Sequence, residues 1–240
     1  MNFKLFKQIG FISAFLILLA MPAKADANFG IGIIGNISSF DSEGTETEGD
    51  GGDVSIGSDN ETTTTTHSED VDYAHAFAEI ILKSESLPFG VTWGVDLIPG
   101  EHDIGAKSRT DTAADSGEGQ QATQSYTAKA RVANMVSTYL EPTIYINDMI
   151  GIYAKAGVTR LSVETLESGD NSSEYGNEGI YGMSTGAGIR ITHSSGLYLK
   201  LEHVNTDYES INLQSTTGNR NSISADIDQT SDRIAIGYQF

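Results

Sequence analysis

The sequence predicts an all-β chain closed as an eight-stranded antiparallel up-and-down transmembrane β-barrel. Three observations carry that expectation. Oily residues recur at every second position through a series of runs, the joins between runs alternate short and long, and ionic residues within the runs avoid the oily parity. The run at 233–240 shows the pattern plainly: Ile234, Ile236, Tyr238 and Phe240 share one parity, and Arg233, Ala235, Gly237 and Gln239 the other. Successive side chains of a strand point to opposite faces, so such a run has one greasy face and one small or polar face.

Taken in chain order, the first element is removed before folding. Lys4 and Lys7 precede an apolar stretch from Ile9 to Met21, followed by Ala23-Lys24-Ala25. That order reads as a secretory signal peptide over 1–25, too short for the roughly 20 residues of a membrane-spanning helix. The barrel expectation therefore covers 26–240. Strands are expected at Ala27–Ser38, Val71–Lys83, Phe89–Ile98, Tyr126–Ile146, Ile150–Val163, Gly179–Thr192, Gly196–Tyr208 and from about Ile227 onward. Short turns fall at 84–88, 147–149 and 193–195, and long polar loops at 39–70, 99–125, 164–178 and 209–226. Transmembrane barrels have short turns at one end and longer loops at the other.

Composition limits the function classes. Removing Lys4, Lys7 and Lys24 leaves 11 basic residues against 33 acidic ones, a formal charge of −22. Nucleic acid is excluded as a partner, because phosphate contacts need clustered Lys and Arg. The chain has no Cys, which excludes a lipid anchor on cysteine and any disulfide framework.

Charge parity sharpens the barrel reading. A Lys or Arg facing lipid near the bilayer midplane costs about 2–4 kcal/mol, so ions inside the runs should face inward. Glu79, Asp96, Glu141, Lys155, Arg190, Lys200, Glu202 and Arg233 all take the inward parity, four acids against four bases, and are expected to form a paired ionic network filling the lumen. Lys129 and Arg131 share that parity at the outer end of a long strand, whereas Arg160 and His203 break it.

With the signal, the alternating joins, the inward ions and the terminal Ile236-Gly237-Tyr238-Gln239-Phe240, the chain resembles the small eight-stranded outer-membrane barrels: the OmpA membrane domain, OmpX and the opacity adhesins. That resemblance implies export to the Gram-negative outer membrane, contact with its lipids and lipopolysaccharide, delivery by periplasmic chaperones, and recognition of Ile236, Tyr238 and Phe240 by the barrel-assembly machinery. It implies no cofactor. Function would then sit in the outer loops as a structural or surface-interaction role, with an extracellular ligand the sequence does not name. The alternatives are a narrow channel for small solutes and, more remotely, a lipid-modifying enzyme.

Two local features bear on those alternatives. Ten acids and no Lys or Arg lie between Ser39 and Asp70; within that stretch Asp50, Asp53 and Asp59 are the candidate cation ligands, against a plain solvated acidic loop. For catalysis, His203 could act as a base, but Asn205 stands where the lipid A deacylases carry a serine two residues after the histidine. The expectation is therefore no enzyme, no catalytic residues and no metal site among the scattered histidines.

Overall fold

The computed structural model describes residues 25–48, 61–113, 122–168, 174–216 and 221–240. The expected signal peptide up to Lys24 and the candidate ligands Asp50, Asp53 and Asp59 lie outside the described residues, while Ala25, the last residue of that expected segment, opens the first strand. Among the described residues there are nine strands: β1 (Ala25–Glu48), β2 (Glu61–Ser84), β3 (Phe89–Ala113), β4 (Ala122–Tyr145), β5 (Ile150–Ser168), β6 (Glu178–Thr192), β7 (Leu197–Tyr208), β8 (Ile211–Gln214) and β9 (Ser222–Gln239). Each pairs antiparallel with its neighbour, and β9 returns to pair with β1. The short β8 continues β7 along the same edge of β9 after a one-residue slip, from Asp207↔Asp228 to Ile211↔Ala225. The barrel therefore has eight staves.

Its dimensions follow from the register. One circuit from Ile31 passes through Ala78, Val95, Thr138, Val158, Met183, Asp207 and Asp228, and returns to β1 at Asp41. The closure is staggered by ten residues. With a rise of about 3.3 Å per residue and strands about 4.8 Å apart, eight strands tilt by about 40° and enclose a backbone radius of about 8 Å. Such a cylinder has room inside for side chains and little else.

The strands overrun the expected loops. β1 and β2 continue in register to Glu48↔Glu61, inside the segment read as loop 39–70. Likewise β3 and β4 reach Ala113↔Ala122, β5 runs to Ser168, and β8 with the start of β9 occupies part of 209–226. The cause is physical. Period-two oiliness marks only the part of a strand that touches lipid, and a wet extension needs only ladder hydrogen bonds and β-branched residues such as Thr62–Thr66. A polar run is therefore no sign that a strand has ended.

One phase change also departs from the expectation. Pro99 has no N–H to give to the ladder and Gly100 sits at φ 97°, so β3 bulges there, opposite Asn134 at φ 53°. Asparagine tolerates that left-handed conformation better than most residues. Beyond Asn134 the parity of β4 reverses: Val132 is buried and Arg131 points outward, where it binds Glu101 and Asp103 across the strands. Lys129 is likewise exposed on the outer face.

Outside, the wall is greasy: Ile31, Ile33, Ile37, Trp93, Leu97, Ile144, Ile152, Ile189, Leu201, Ile234 and Ile236 are all exposed. Phe29 and Phe240 exchange backbone hydrogen bonds of 3.0 Å in both directions and stack edge to face, sealing the β1–β9 seam. No helix among the described residues is long and apolar enough to cross a membrane.

Candidate functional site

The eight ionic residues named from parity all point into the lumen and are buried. Six of them form one cluster. Lys200 on β7 is its hub, with Nζ 2.6 Å from Glu79 on β2, 2.7 Å from Glu141 on β4 and 2.9 Å from Glu202 two residues along its own strand. Lys155 on β5 bridges Glu202 at 3.1 Å and Glu141 at 3.3 Å. Arg190 on β6 donates to Glu79 and lies 3.5 Å from Glu141. Three carboxylates thus face three cations, drawn from five strands. Ions shut away from water persist only with such mutual pairing and hydrogen bonding.

Tyrosines complete the cluster, and the sequence reading did not name them. Tyr139 and Tyr198 donate to Glu79 at 3.0 Å, and Tyr153 donates to Glu202 at 2.8 Å. The Lys155 ammonium sits 3.6 Å from the Tyr139 ring centroid. Each of these rings lies over a glycine directly opposite on the next strand: Tyr139 over Gly94, Tyr153 over Gly188 and Tyr198 over Gly237. A β-carbon at any of those glycines would drive into the ring. The usable signal was there: an inward tyrosine facing an inward glycine marks a ring lying flat across the lumen.

The remaining pair, Asp96 on β3 and Arg233 on β9, stands apart from the cluster at 3.5 Å, with His75 on β2 at 3.7 Å from Asp96. Among the described residues, both Asp96 oxygens, both His75 nitrogens, Arg233 Nε and the whole side-chain amide of Asn36 are buried without hydrogen-bond partners. Neighbouring strands bring the four side chains to one level of the lumen, and buried polar atoms left in this state ordinarily hold water.

Layers close the lumen on either side. Below the cluster, Ile34, Phe77, Ile81, Tyr198 and Ala235 pack together. Toward the long loops, Ser137, Thr159, Ser184 and Thr206 form a chain of hydroxyl contacts of 2.7–3.1 Å, and Gln229 donates to Ser38 at 2.9 Å and to Tyr73 at 2.8 Å. An apolar core that includes Phe40, Ile98, Ile104, Val132, Met135, Leu161 and Ile227 fills the section beyond.

Acids dominate the outer surface of the strand extensions. Asp207, Asp228 and Asp41 stand side by side on β7, β9 and β1, with Asp226 nearby. Partial burial and repulsion from Asp207, Asp226 and Asp41 push the Asp228 carboxyl above its ordinary value. The Arg131 hydrogen bond holds Asp103 below its own. Among the described residues, no three His, Asp or Glu side chains gather as a metal-binding set.

His203 faces outward with Nδ1 2.7 Å from Asp232 on β9. Asp232 was not singled out from sequence, because its partnership depends on the β7–β9 register rather than on local spacing. Asn205 accepts a 3.0 Å hydrogen bond from Thr230. Ile236, Tyr238 and Phe240 are exposed on the outer face of the closing strand.

A closed eight-stranded ladder, greasy outside and ionic within, defines a small barrel of the outer-membrane type. No protein-family model matches the chain, and no curated protein matches it in sequence. Among solved structures it is similar to Ail, the attachment invasion locus protein of Yersinia pestis, at 12% identity and a TM-score of 0.39, covering 86% of this chain and 98% of that one. It is also similar to the outer membrane protease OmpT of Escherichia coli, at 8% identity and TM-score 0.38 over 89% and 97% of the two chains. A FadL homologue of Pseudomonas aeruginosa matches at 9% identity and TM-score 0.28, over 89% and 90%. None of these likenesses bears on what this chain does.

Proposed function

We propose that the protein resides in the outer membrane as a non-conducting barrel, and that it acts through the acidic strand extensions and loops at one end in a structural or surface-interaction role. The observation that supports this most is the lumen: Lys200 touches three carboxylates at 2.6–2.9 Å, and an apolar core fills the section above. A solute path would have to break both. The extensions instead present Asp41, Asp207, Asp226 and Asp228 outward, a surface suited to a cationic partner. Export through a cleaved signal, lipopolysaccharide contact and chaperone-guided assembly belong to the same reading. A catalytic role is not part of it, since the outward position after His203 is an asparagine engaged with Thr230.

Two measurements test this. Purified barrel in planar bilayers should give no single-channel currents; resolved steps would favour the narrow-channel reading. Replacing Asp41, Asp207, Asp226 and Asp228 together by asparagine should leave the barrel folded while weakening adsorption to a polylysine-coated surface. Undiminished adsorption would remove this acidic face from the reading.

A further inference from the structure

The lipid-facing wall is uneven. On β7 the outward residues from the turn end are Leu197, Leu199 and Leu201, then His203, Asn205 and Asp207; on β9 they are Tyr238, Ile236 and Ile234, then Asp232, Thr230 and Asp228. Three apolar positions are thus followed at once by polar ones, whereas the same parity of β3 stays apolar through Phe89, Val91, Trp93, Val95 and Leu97, of which all but Val91 are exposed or half-buried. At about 3.3 Å per residue and a tilt of about 40°, His203 stands about 15 Å above the turn end. The apolar wall on this side therefore stops about 10 Å short of the apolar band about 25 Å tall that such barrels carry, and the polar end of a lipid seated here lies at that lowered boundary. An ionisable pair facing lipid at such depth is costly and marks function by default.

A groove of about 870 Å³ surrounds this pair on the outer wall. Two adjacent register rows line it. One contributes Gly35, Ile234 and Leu201, and the next Asp72, Ile37, Asp232, His203 and Ala187. The first row is wholly apolar and lies toward the turn end; the second carries two carboxylates and one imidazole. The hollow exists because Gly35 and Ala187 present little or no side chain between isoleucines and leucines. Strand packing does not demand glycine at 35: a β-carbon there would meet nothing nearer than the Ile234 carbonyl oxygen at 3.9 Å, and the backbone is ordinary. The space is available to something other than the protein.

The geometry points to a binding site for one membrane lipid with an ammonium-bearing headgroup. Its acyl chain lies along Gly35, Leu201 and Ile234, and its ammonium rests against Asp232, with Asp72 on the far side of Ile37 adding to the negative field and His203 Nε2 turned toward the headgroup phosphate. Charge complementarity selects this occupant. Two carboxylates against one imidazole give the polar end a negative balance, which favours an ammonium and disfavours a headgroup that is purely anionic. The volume falls within the roughly 300–1,000 Å³ of small-molecule sites. The inference rests on the membrane reading of the barrel.

The experiment uses full-length mature barrel in nanodiscs containing equal phosphatidylethanolamine and phosphatidylglycerol, released into detergent for native mass spectrometry. Wild type should retain a single phosphatidylethanolamine about threefold over phosphatidylglycerol, the scale an exposed ion pair supplies. Gly35→Leu, which fills the groove on an already apolar face, should abolish retention of either lipid while the barrel stays inserted. Asp232→Asn should keep the lipid and lose the preference. Equal retention of both lipids by wild type, or retention unaffected by Gly35→Leu, overturns the inference and leaves the barrel reading standing. Failure of wild type to enter nanodiscs at all overturns both.

Discussion

Replacing Lys200 by methionine should do more damage than any other single change in the lumen. The Nζ atom lies 2.6, 2.7 and 2.9 Å from Glu79, Glu141 and Glu202, and both partners in each contact are fully shielded from solvent. Methionine keeps most of the volume and removes the charge, leaving three carboxylates to share Lys155 and Arg190. Breaking a buried pair while its partner stays behind costs about 3–5 kcal/mol, a large part of the roughly 5–15 kcal/mol that holds a typical domain together. The double variant Lys200→Met/Glu141→Gln restores equal numbers of acids and bases, so it should recover a good part of that loss. Trp93 is the chain's one tryptophan and faces the lipid side, so its fluorescence reports unfolding in guanidinium from lipid-reconstituted barrel at mildly alkaline pH. A loss below about 1 kcal/mol for the single variant, the scale of an exposed pair, would refute the argument. So would a double variant less stable than the single one.

Other outcomes are expected from the same structure. Gly94→Ala should destabilise the barrel by about 1–3 kcal/mol by overpacking against the Tyr139 ring, whereas Gly35→Ala, in open space, should stay within about 0.5 kcal/mol; denaturant midpoints distinguish them. The raised Asp228 carboxyl binds protons better in the folded state than in the free chain. The stability this gives the β9 extension is full below the ordinary carboxylate value and disappears as pH rises through the raised one. The lowered Asp103 gives the opposite slope, present above the ordinary value and lost as pH falls through the depressed one. Hydrogen exchange at the two sites should therefore move in opposite directions on acidification, and Asp228→Asn should flatten the first. A high-resolution crystal structure should show ordered water bridging Asp96, His75 and Asn36; a dry site would contradict the hydration expected of those unpartnered atoms.

The sequence revealed much of this architecture where lipid imposes a rule. Oily residues at alternate positions and ions confined to the other parity placed Asp96, Glu141 and Lys200 on the inner face, because a charge on the lipid side is penalised strongly enough to leave a pattern. Where lipid ends the rule ends, and Thr62–Thr66 gave no hint that β2 continues in register with β1 there. Arg131 shows a second limit. Its orientation turns on a bulge, and Pro99-Gly100 was the available signal, one that acts across a strand pair rather than along the strand carrying the arginine. The tyrosines over Gly94, Gly188 and Gly237, and the pairing of His203 with Asp232, depend on register, which closes only when the whole cylinder is assembled. Pairing within the ionic cluster is of the same kind: parity shows which residues share the lumen, while tilt and stagger decide that Lys200 meets three of them.

Each of the eight staves turns one face to lipid over its membrane span and seals the other from water. Because the chain has no native cysteine, single cysteines can be placed at Ile31, Val95, Leu140 and Ile189 on the outer face and at Thr92 and Ser137 on the inner face, and each variant reconstituted in vesicles. A lipid-soluble maleimide should label the four outer positions, a water-soluble one none of the six, and the two inner positions should resist both. Labelling of the outer positions by the water-soluble reagent, or of Thr92 and Ser137 by either reagent, would show that the barrel is not seated in this way.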